Sequence, residues 1–452
     1  MQVPFALSTM KRPIVSTAVI FAIITLVFLK INYKLSLLYA VFSVFLLITC
    51  VFYKPLRQFI IILVCVFIFC INFYSVYTNS VIKYQDVTEI RANIEGTITE
   101  CSFNSDDVVV YQVDINKSSY SKIEGRKVLL YGYNFSSNVG TTLNAEVVIS
   151  FIDDGFDWHS ENIYFKGYVD KVHQIKTDAS YKSIIYKLRL SIRNILFENL
   201  PYDIATVING ITLGDRSYEE DAFYAAVKNC GVSHIMVVSG LHLAVVCGSF
   251  YKLLKMIKSP PFIRAVITLA ATLMFMTLCG FTPSVLRAGT MYIIMLVGLL
   301  IHRDPDALNS LSVAFVIMVT ANPFLMCNVG FLLSVTSTAG IIILNPLILK
   351  LIRHDKWKIK PLKAVTEIAT VTISAQLATL PICLYYFGWV SRYAVLVNVL
   401  ISYAVTIALI SAFSGIVLYI SPILRPLSKI PFVCCSFMTA YFNKIIMYFG
   451  NL

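Results

Sequence analysis

Long runs without a single Asp, Glu, Lys or Arg constrain this chain more than any other feature. They cover residues 13–29, 35–53 and 58–82, then 265–286, 288–301, 308–321, 329–349, 368–389 and 393–424, and a last one begins at 430. A hydrocarbon layer about 30 Å thick takes roughly 20 apolar residues as one helix. Inside it, only helices and closed barrels satisfy their own backbone polar groups. Hydrophobic residues make up 58% of the 452 and the mean hydropathy is +0.75, whereas soluble domains are about 45–50% apolar. The chain reads as an α-helical polytopic membrane protein of about ten spans.

One segment breaks this pattern. Residues 83–182 hold ten basic and fifteen acidic residues and alternate apolar with polar, as in VVVYQVDI at 108–115 and AEVVISFI at 145–152. Period-two alternation between turn clusters marks strands. Five or six strands in about a hundred residues predict a small β-barrel of OB type inserted between the spans. The domains expected are N-terminal helices at 1–82, the barrel at 83–178, amphipathic or interfacial helices at 179–229, and a transmembrane domain at 230–452. In the third of these, YKSIIYKLRLSIRNILFENL at 181–200 sets apolar residues at helical spacing against Lys and Arg, the pattern of a basic helix lying in a membrane interface. The sorting of Lys and Arg into inner loops puts the N-terminus inside and the barrel outside, with the clusters at 252–264 and 350–363 inside; Lys30 and Lys34 fall on the wrong side.

The central stretch, CGVSHIMVVSGLHLAVVCGSFYKLL at 230–254, has no charged residue between Lys228 and Lys252 and is long enough to cross a bilayer as a helix. It nevertheless carries His234, Ser239, Gly240 and His242. Ionisable groups at membrane depth mark pathways and sites, so three readings stand. Ser239 and Gly240 can serve close packing or a helix break; the group can line a polar passage; or Ser239 and His242, three apart on one helical face, can form a nucleophile–base pair. Elsewhere, Arg287 is either a snorkelling anchor or a phosphate contact. Asn209, Asp215 and Arg216 precede the central stretch, Asp215 and Arg216 as a surface ion pair or as path residues. Gln376 and Asn398 lie within apolar runs, where amides bond between helices or meet substrate.

Several classes are excluded. No Gly-x-x-x-x-Gly-Lys-Ser/Thr loop is present, so no ATP site is read. The six histidines do not take zinc-ligand spacing. Of eleven cysteines only Cys101 falls in the polar segment, so no disulfide framework is implied. No cofactor, metal or catalytic residue is expected.

Four blocks resemble, in order, the ComEC competence proteins. They are GITLGDRSYEEDAFYAAVKNCGVSHIMVVSGLHLAVV at 210–246, GFTPSVLRAG at 280–289, NPFLMCNVGFLLS at 322–334 and SAQLATLPICLYYFG at 374–388. The resemblance implies a channel in the bacterial cytoplasmic membrane that imports single-stranded DNA during natural transformation, with the barrel extracytoplasmic. It implies membrane lipids as surroundings, an extracytoplasmic DNA receptor, a cytoplasmic helicase-like ATPase as motor, and either a monomer or a homo-oligomer. Many members continue into a metallo-β-lactamase-like domain; this sequence has no His-x-His-x-Asp-His, so it resembles the form lacking that domain, and a separate nuclease is expected. The path residues expected are Asn209, Asp215, Arg216, His234, Ser239, Gly240, His242, Arg287, Gln376 and Asn398, with Arg287 and Arg216 on phosphates. The barrel's net charge of −5 makes it a poor bulk attractor of DNA, leaving local contacts through Tyr111 or Tyr131 or a docking role. The alternatives are an intramembrane serine hydrolase using Ser239 and His242, and a transporter of another polymer or solute.

Overall fold

The computed structural model describes residues 13–52, 60–103, 109–132, 139–153, 156–177, 181–215, 221–236, 238–302, 306–352 and 360–452. Among them, eight helices are long and apolar enough to cross a membrane, and two shorter apolar helices accompany them. The chain divides into two compact units, Met1–Lys187 with Ser312–Val329, and Leu188–Leu311 with Gly330–Leu452.

The first unit begins with helices α1 (Pro13–Lys30), α2 (Leu35–Phe52) and α3 (Ile60–Ser80). Rings tie α1 to α3, with Phe21 on Phe69 at 4.2 Å between centroids and Phe28 on Phe73 at 5.1 Å. Such pairs each add about 0.5–1.5 kcal/mol beyond area burial. Five strands follow: β1 (Ile90–Phe103), β2 (Val109–Ser118), β3 (Lys127–Gly132), β4 (Thr141–Phe151) and, after the short helix α4 (Phe156–Ser160), β5 (Ile163–Thr177). They close into a barrel in the order β1-β2-β3-β5-β4, antiparallel except for β3 with β5. Closure removes the exposed strand edges that invite aggregation. β1 pairs with β4 over Ile90–Thr97 and with β2 over Ile94–Phe103, and the β1–β2 ladder shifts register twice, with an extra residue at Asn116 of β2 and at Thr99 of β1, which supplies the bend a small barrel needs.

Alternate residues of each strand fill the barrel, among them Ile98, Val113, Val128, Leu143 and Val147, all fully buried. Tyr111 is also 0% exposed, so it cannot offer a stacking face; the inward phase of β2 decides this. Tyr131 is half-buried on the other phase and meets the exposed Tyr168 across the β3–β5 pair, centroids 5.4 Å apart.

The same unit includes most of α12 (Ala307–Ala321) and the turn Pro323–Cys327. Phe324 of this turn is 0% exposed and belongs to the barrel's hydrophobic core. Asn322 donates through Nδ2 to the carbonyls of Ser160 at 2.9 Å and His159 at 3.3 Å, and Asn328 donates to Ser160 Oγ at 3.0 Å. The turn therefore plugs one region of the barrel unit with an aromatic ring and pins it with two amides.

The second unit takes in most of α5 (Tyr181–Asn199), then α6 (Tyr202–Leu213), α7 (Asp221–Asn229), α8 (Ser233–Met236), α9 (Gly240–Met256), α10 (Pro261–Leu278) and α11 (Pro283–Leu300). After α12 come α13 (Val329–Leu351), α14 (Lys360–Phe387), α15 (Ala394–Ile420) and α16 (Lys429–Gly450). Helix α15, 27 residues and about 40 Å long, is the spine: Val397, Ile401, Val405, Ala408 and Ala412 recur at helical spacing and are buried. Ile192 and Leu196 of α5 are buried in the same core.

Two sequence expectations change here. The stretch 230–254 is not one crossing helix: α8 has four residues and α9 restarts at Gly240. The uncharged run 265–286 holds the end of one helix and the start of another, because Gly280 and Phe281 both take left-handed backbone (φ 73° and 54°) before Pro283 opens α11. Proline suits the first helical turn, where its missing N–H is not needed. In contrast, 393–424 is unbroken from Ala394 to Ile420 despite Asn398 and Gly415.

Candidate functional site

The site forms in the second unit, where the chain breaks between α8 and α9. Ser239 is extended (φ −114°, ψ 172°) and caps α9. Its Oγ accepts from the Leu241 N–H at 3.2 Å, while its own N–H donates to His242 Nδ1 at 2.9 Å. This is a capping box with histidine in the reciprocal place. Ser239 and His242 are thus paired, as their spacing suggests, but as a cap and not as neighbours on a helix face. The imidazole bonds the serine's backbone N–H, and the serine Oγ is engaged as an acceptor, so the pair is not arranged as nucleophile and base. His242 is 1% exposed; His234, on α8, is exposed and within electrostatic reach of it.

Arg287 lies in the second turn of α11 and is 6% exposed. It does not snorkel. Nε donates to Ser334 Oγ at 2.9 Å and Nη1 donates to Thr338 Oγ1, both on α13. Thr338 Oγ1 donates its own hydrogen bond to the Ser334 carbonyl at 2.9 Å, and Ser334 Oγ also meets Ser284 Oγ at 3.0 Å. The hydroxyls are thus ordered as acceptors toward the guanidinium. Gly240 adjoins it from the other side: a Cβ on Gly240 would stand 3.1 Å from Arg287 Nη2 and 3.0 Å from the Ala288 Cβ. Among the described residues no carboxylate pairs with Arg287.

The remaining expected residues are placed as follows. Asn209, on α6, is 0% exposed; Nδ2 donates to the Asp215 carbonyl at 3.2 Å, and Oδ1 is buried with no partner among the described residues. The end of α6 approaches the cap, since a Cβ on Gly214 would be 3.3 Å from Val238 Cγ2. Arg216 lies outside the described residues. Gln376, half-buried on α14, and Asn398, buried on α15, make no side-chain hydrogen bond to this group among the described residues. Helix α14 does press on α13: a Cβ on Gly340 would be 2.3 Å from the Ala378 Cβ.

Sequence reasoning singled out Arg287 but not the hydroxyls that hold it. Ser334 and Thr338 are four apart in VGFLLSVTST, hence on one helical face; a hydroxyl pair at that spacing in an otherwise apolar run was the available signal.

The family model described as Competence protein matches residues 211–452, more than half of the chain. ComE operon protein 3 of Bacillus subtilis (strain 168) is 24% identical over 373 residues, covering 80% of this chain and 46% of that protein. The chain therefore spans about half the length of this curated relative. No solved structure matches. The matched region contains Ser239, Gly240, His242, Arg287, Ser334 and Thr338, and with it the whole cluster just described: this multi-pass membrane protein belongs to the competence-protein family.

Proposed function

We propose that the chain is a conduit for single-stranded DNA entering across the bacterial cytoplasmic membrane in natural transformation. The observation that carries the reading is the polar cluster at the break before α9, built from residues inside the family-matched region and set among apolar helices. Lipid-facing positions do not retain a buried arginine, a buried histidine and a broken helix; a path for a polar cargo does. Membership of the competence family supports DNA as that cargo. His234, Ser239 and Gly240 line the path, and the buried His242 and Arg287 hold its wall from behind. Asn209 on α6 and Asp215 just beyond its end support it, and Gln376 and Asn398 order the facing helices.

The barrel is of OB type on this reading. The order β1-β2-β3-β5-β4 with a single parallel pair supports it, as five-stranded Greek-key barrels of that class bind oligonucleotides. It stands on the extracytoplasmic side, where a DNA receptor would deliver the strand, and a cytoplasmic helicase-like ATPase draws the strand through. The geometry of Ser239 and His242 argues against the hydrolase alternative, because the imidazole Nδ1 is taken by the serine's backbone N–H and the serine Oγ by the Leu241 N–H.

The test compares a deletion strain with one complemented by this chain, following labelled duplex DNA into the nuclease-protected cytoplasm. Rescue of uptake is expected. Equal uptake in both strains would remove the transport assignment and move another polymer or solute to the front.

A further inference from the structure

Between Asp221 and Asp304 the sequence has no Asp or Glu, and four of the cations in that stretch, Lys252, Lys255, Lys258 and Arg264, gather at the turn from α9 to α10. The three lysines are exposed, and none of the four makes an ion pair among the described residues. The sorting of Lys and Arg accounts for cations in such a loop, but not for how this one is built. Helix α9 closes in a Schellman turn: the Ser259 N–H donates to the Leu254 carbonyl at 3.1 Å and the Lys258 N–H to the Lys255 carbonyl at 3.0 Å. Ser259 Oγ donates to the same Leu254 carbonyl at 2.8 Å. Lys258 thereby takes φ 55°, the left-handed place where glycine is usual. Pro260 and Pro261 open α10 at once, and behind the turn Thr272 Oγ1 lies 3.3 Å from Cys247 Sγ. The hairpin is short and stiff.

Arg264 stands over the Tyr251 ring, 5.5 Å from its centroid, and Tyr251 shares a helical face with Lys255, four residues on. Arg264 Nε is buried with no hydrogen-bond partner among the described residues. An aromatic ring thus aims a guanidinium beside a lysine and leaves it a donor to spare. Met256, Ile257 and Phe262 are exposed among these cations. Helix α10 is long and apolar enough to cross a membrane and begins at Pro261, so the turn stands where hydrocarbon gives way to headgroups. Apolar side chains interleaved with Lys and Arg at that level match acyl chains on one side and phosphates on the other. The acidic face of a soluble protein would leave the three apolar side chains unmatched.

We infer that the α9–α10 turn is a binding site for the headgroup of an anionic phospholipid, held by Lys255, Lys258 and Arg264. Lys252 adds to the field, and Tyr251 is a positioning residue. Basic sites at helix ends recognise such headgroups by this chemistry. The site does not depend on what the conduit carries.

The test places the full chain in phosphatidylcholine nanodiscs containing a minority of phosphatidylglycerol and counts the lipid it retains on release by native mass spectrometry. Wild type should retain phosphatidylglycerol in preference to phosphatidylcholine. Lys255→Gln, Lys258→Gln and Arg264→Gln should each lower that preference about fivefold, the worth of one basic residue near an anionic surface. Tyr251→Leu should lower it as well, while Tyr251→Phe, which keeps the ring, should not. Lys429→Gln removes an exposed lysine from the start of α16 and should leave the preference unchanged. An equal loss from Lys429→Gln would overturn the site, because diffuse charge would then explain the retention. So would loss of a bound oligoglutamate peptide from the turn variants with phosphatidylglycerol unaffected, which would make the turn a protein-docking surface. Wild type alone supplies a check that needs no variant: its preference should weaken as ionic strength rises, and a preference indifferent to salt would also overturn the site.

Discussion

Arg287 offers the sharpest energetic prediction. A guanidinium taken out of water costs several kcal/mol even after relaxation. Here it is 6% exposed and, among the described residues, is answered only by two neutral hydroxyls and by Met291 Sδ, a weak acceptor at 3.7 Å. Hydrogen bonds to a charged group contribute about 1.5–3 kcal/mol each, so two roughly offset the desolvation. Arg287→Met should then be near neutral for folding, within about 2 kcal/mol either way, and can stabilise. Ser334→Ala with Thr338→Val leaves the cation buried and unanswered, and should cost about 3–5 kcal/mol. The same pair of changes made in the Arg287→Met background should cost less than about 1 kcal/mol, because Ser334 and Thr338 then have no cation to satisfy. Reversible unfolding of the full chain in mixed micelles, read as shifts in denaturant midpoint, measures all four corners. Equal cost in both backgrounds would refute the reasoning, for the hydroxyls would then stabilise α13 independently of Arg287. DNA uptake adds a second axis: Arg287→Met should abolish uptake while the protein stays folded in the membrane.

Other outcomes follow from the geometry. Phe324→Ala empties a site in the barrel core and should destabilise the barrel unit by about 3–5 kcal/mol, seen as faster proteolysis of its strands in the full chain; unchanged proteolysis would mean the ring does not brace the barrel. His159, 0% exposed and bonded through Nε2 to the Ile152 carbonyl, is held by burial down at about 4 from an ordinary 6.5. Its neutral form is favoured in the fold, so the barrel's stability is complete above about pH 6.5 and is lost as pH falls toward 4, by up to about 3 kcal/mol. A His159→Phe variant should lose that slope in protease sensitivity against pH, and an identical slope would assign it to other groups. Ser239→Ala should cost about 0.5–2 kcal/mol of stability through the lost cap, and the wild-type serine should not label with a fluorophosphonate. Stoichiometric labelling would restore the hydrolase reading.

How far the sequence could be read varied with the kind of signal. The barrel was legible because alternation along β2 and β4 is a local pattern that survives folding unchanged; the inward place of Tyr111 needed the strand's phase, which alternation leaves open by one residue. Hydropathy marked the runs but not their interruptions. Left-handed backbone at Phe281 and an extended Ser239 leave little trace in an average over twenty residues, although Gly280, Pro283 and a serine three before His242 were each visible as cap and turn chemistry. Ser239, Gly240, His242 and Arg287 could be named singly because polar residues are conspicuous in apolar runs.

What the sequence by itself determined is the class of the molecule: long uncharged runs mark helices for a hydrocarbon layer, and one alternating polar segment marks a set of strands, whose closure into a barrel is a tertiary fact. Which polar residues meet was decided by the tertiary structure alone. Arg287 and Ser334 are 47 positions apart, and Asn322 reaches Ser160 across 162; no local period encodes such pairs. They form because a buried donor must find an acceptor, and the packing of α11 against α13, and of the Pro323–Cys327 turn against the barrel, determines which acceptor is within reach.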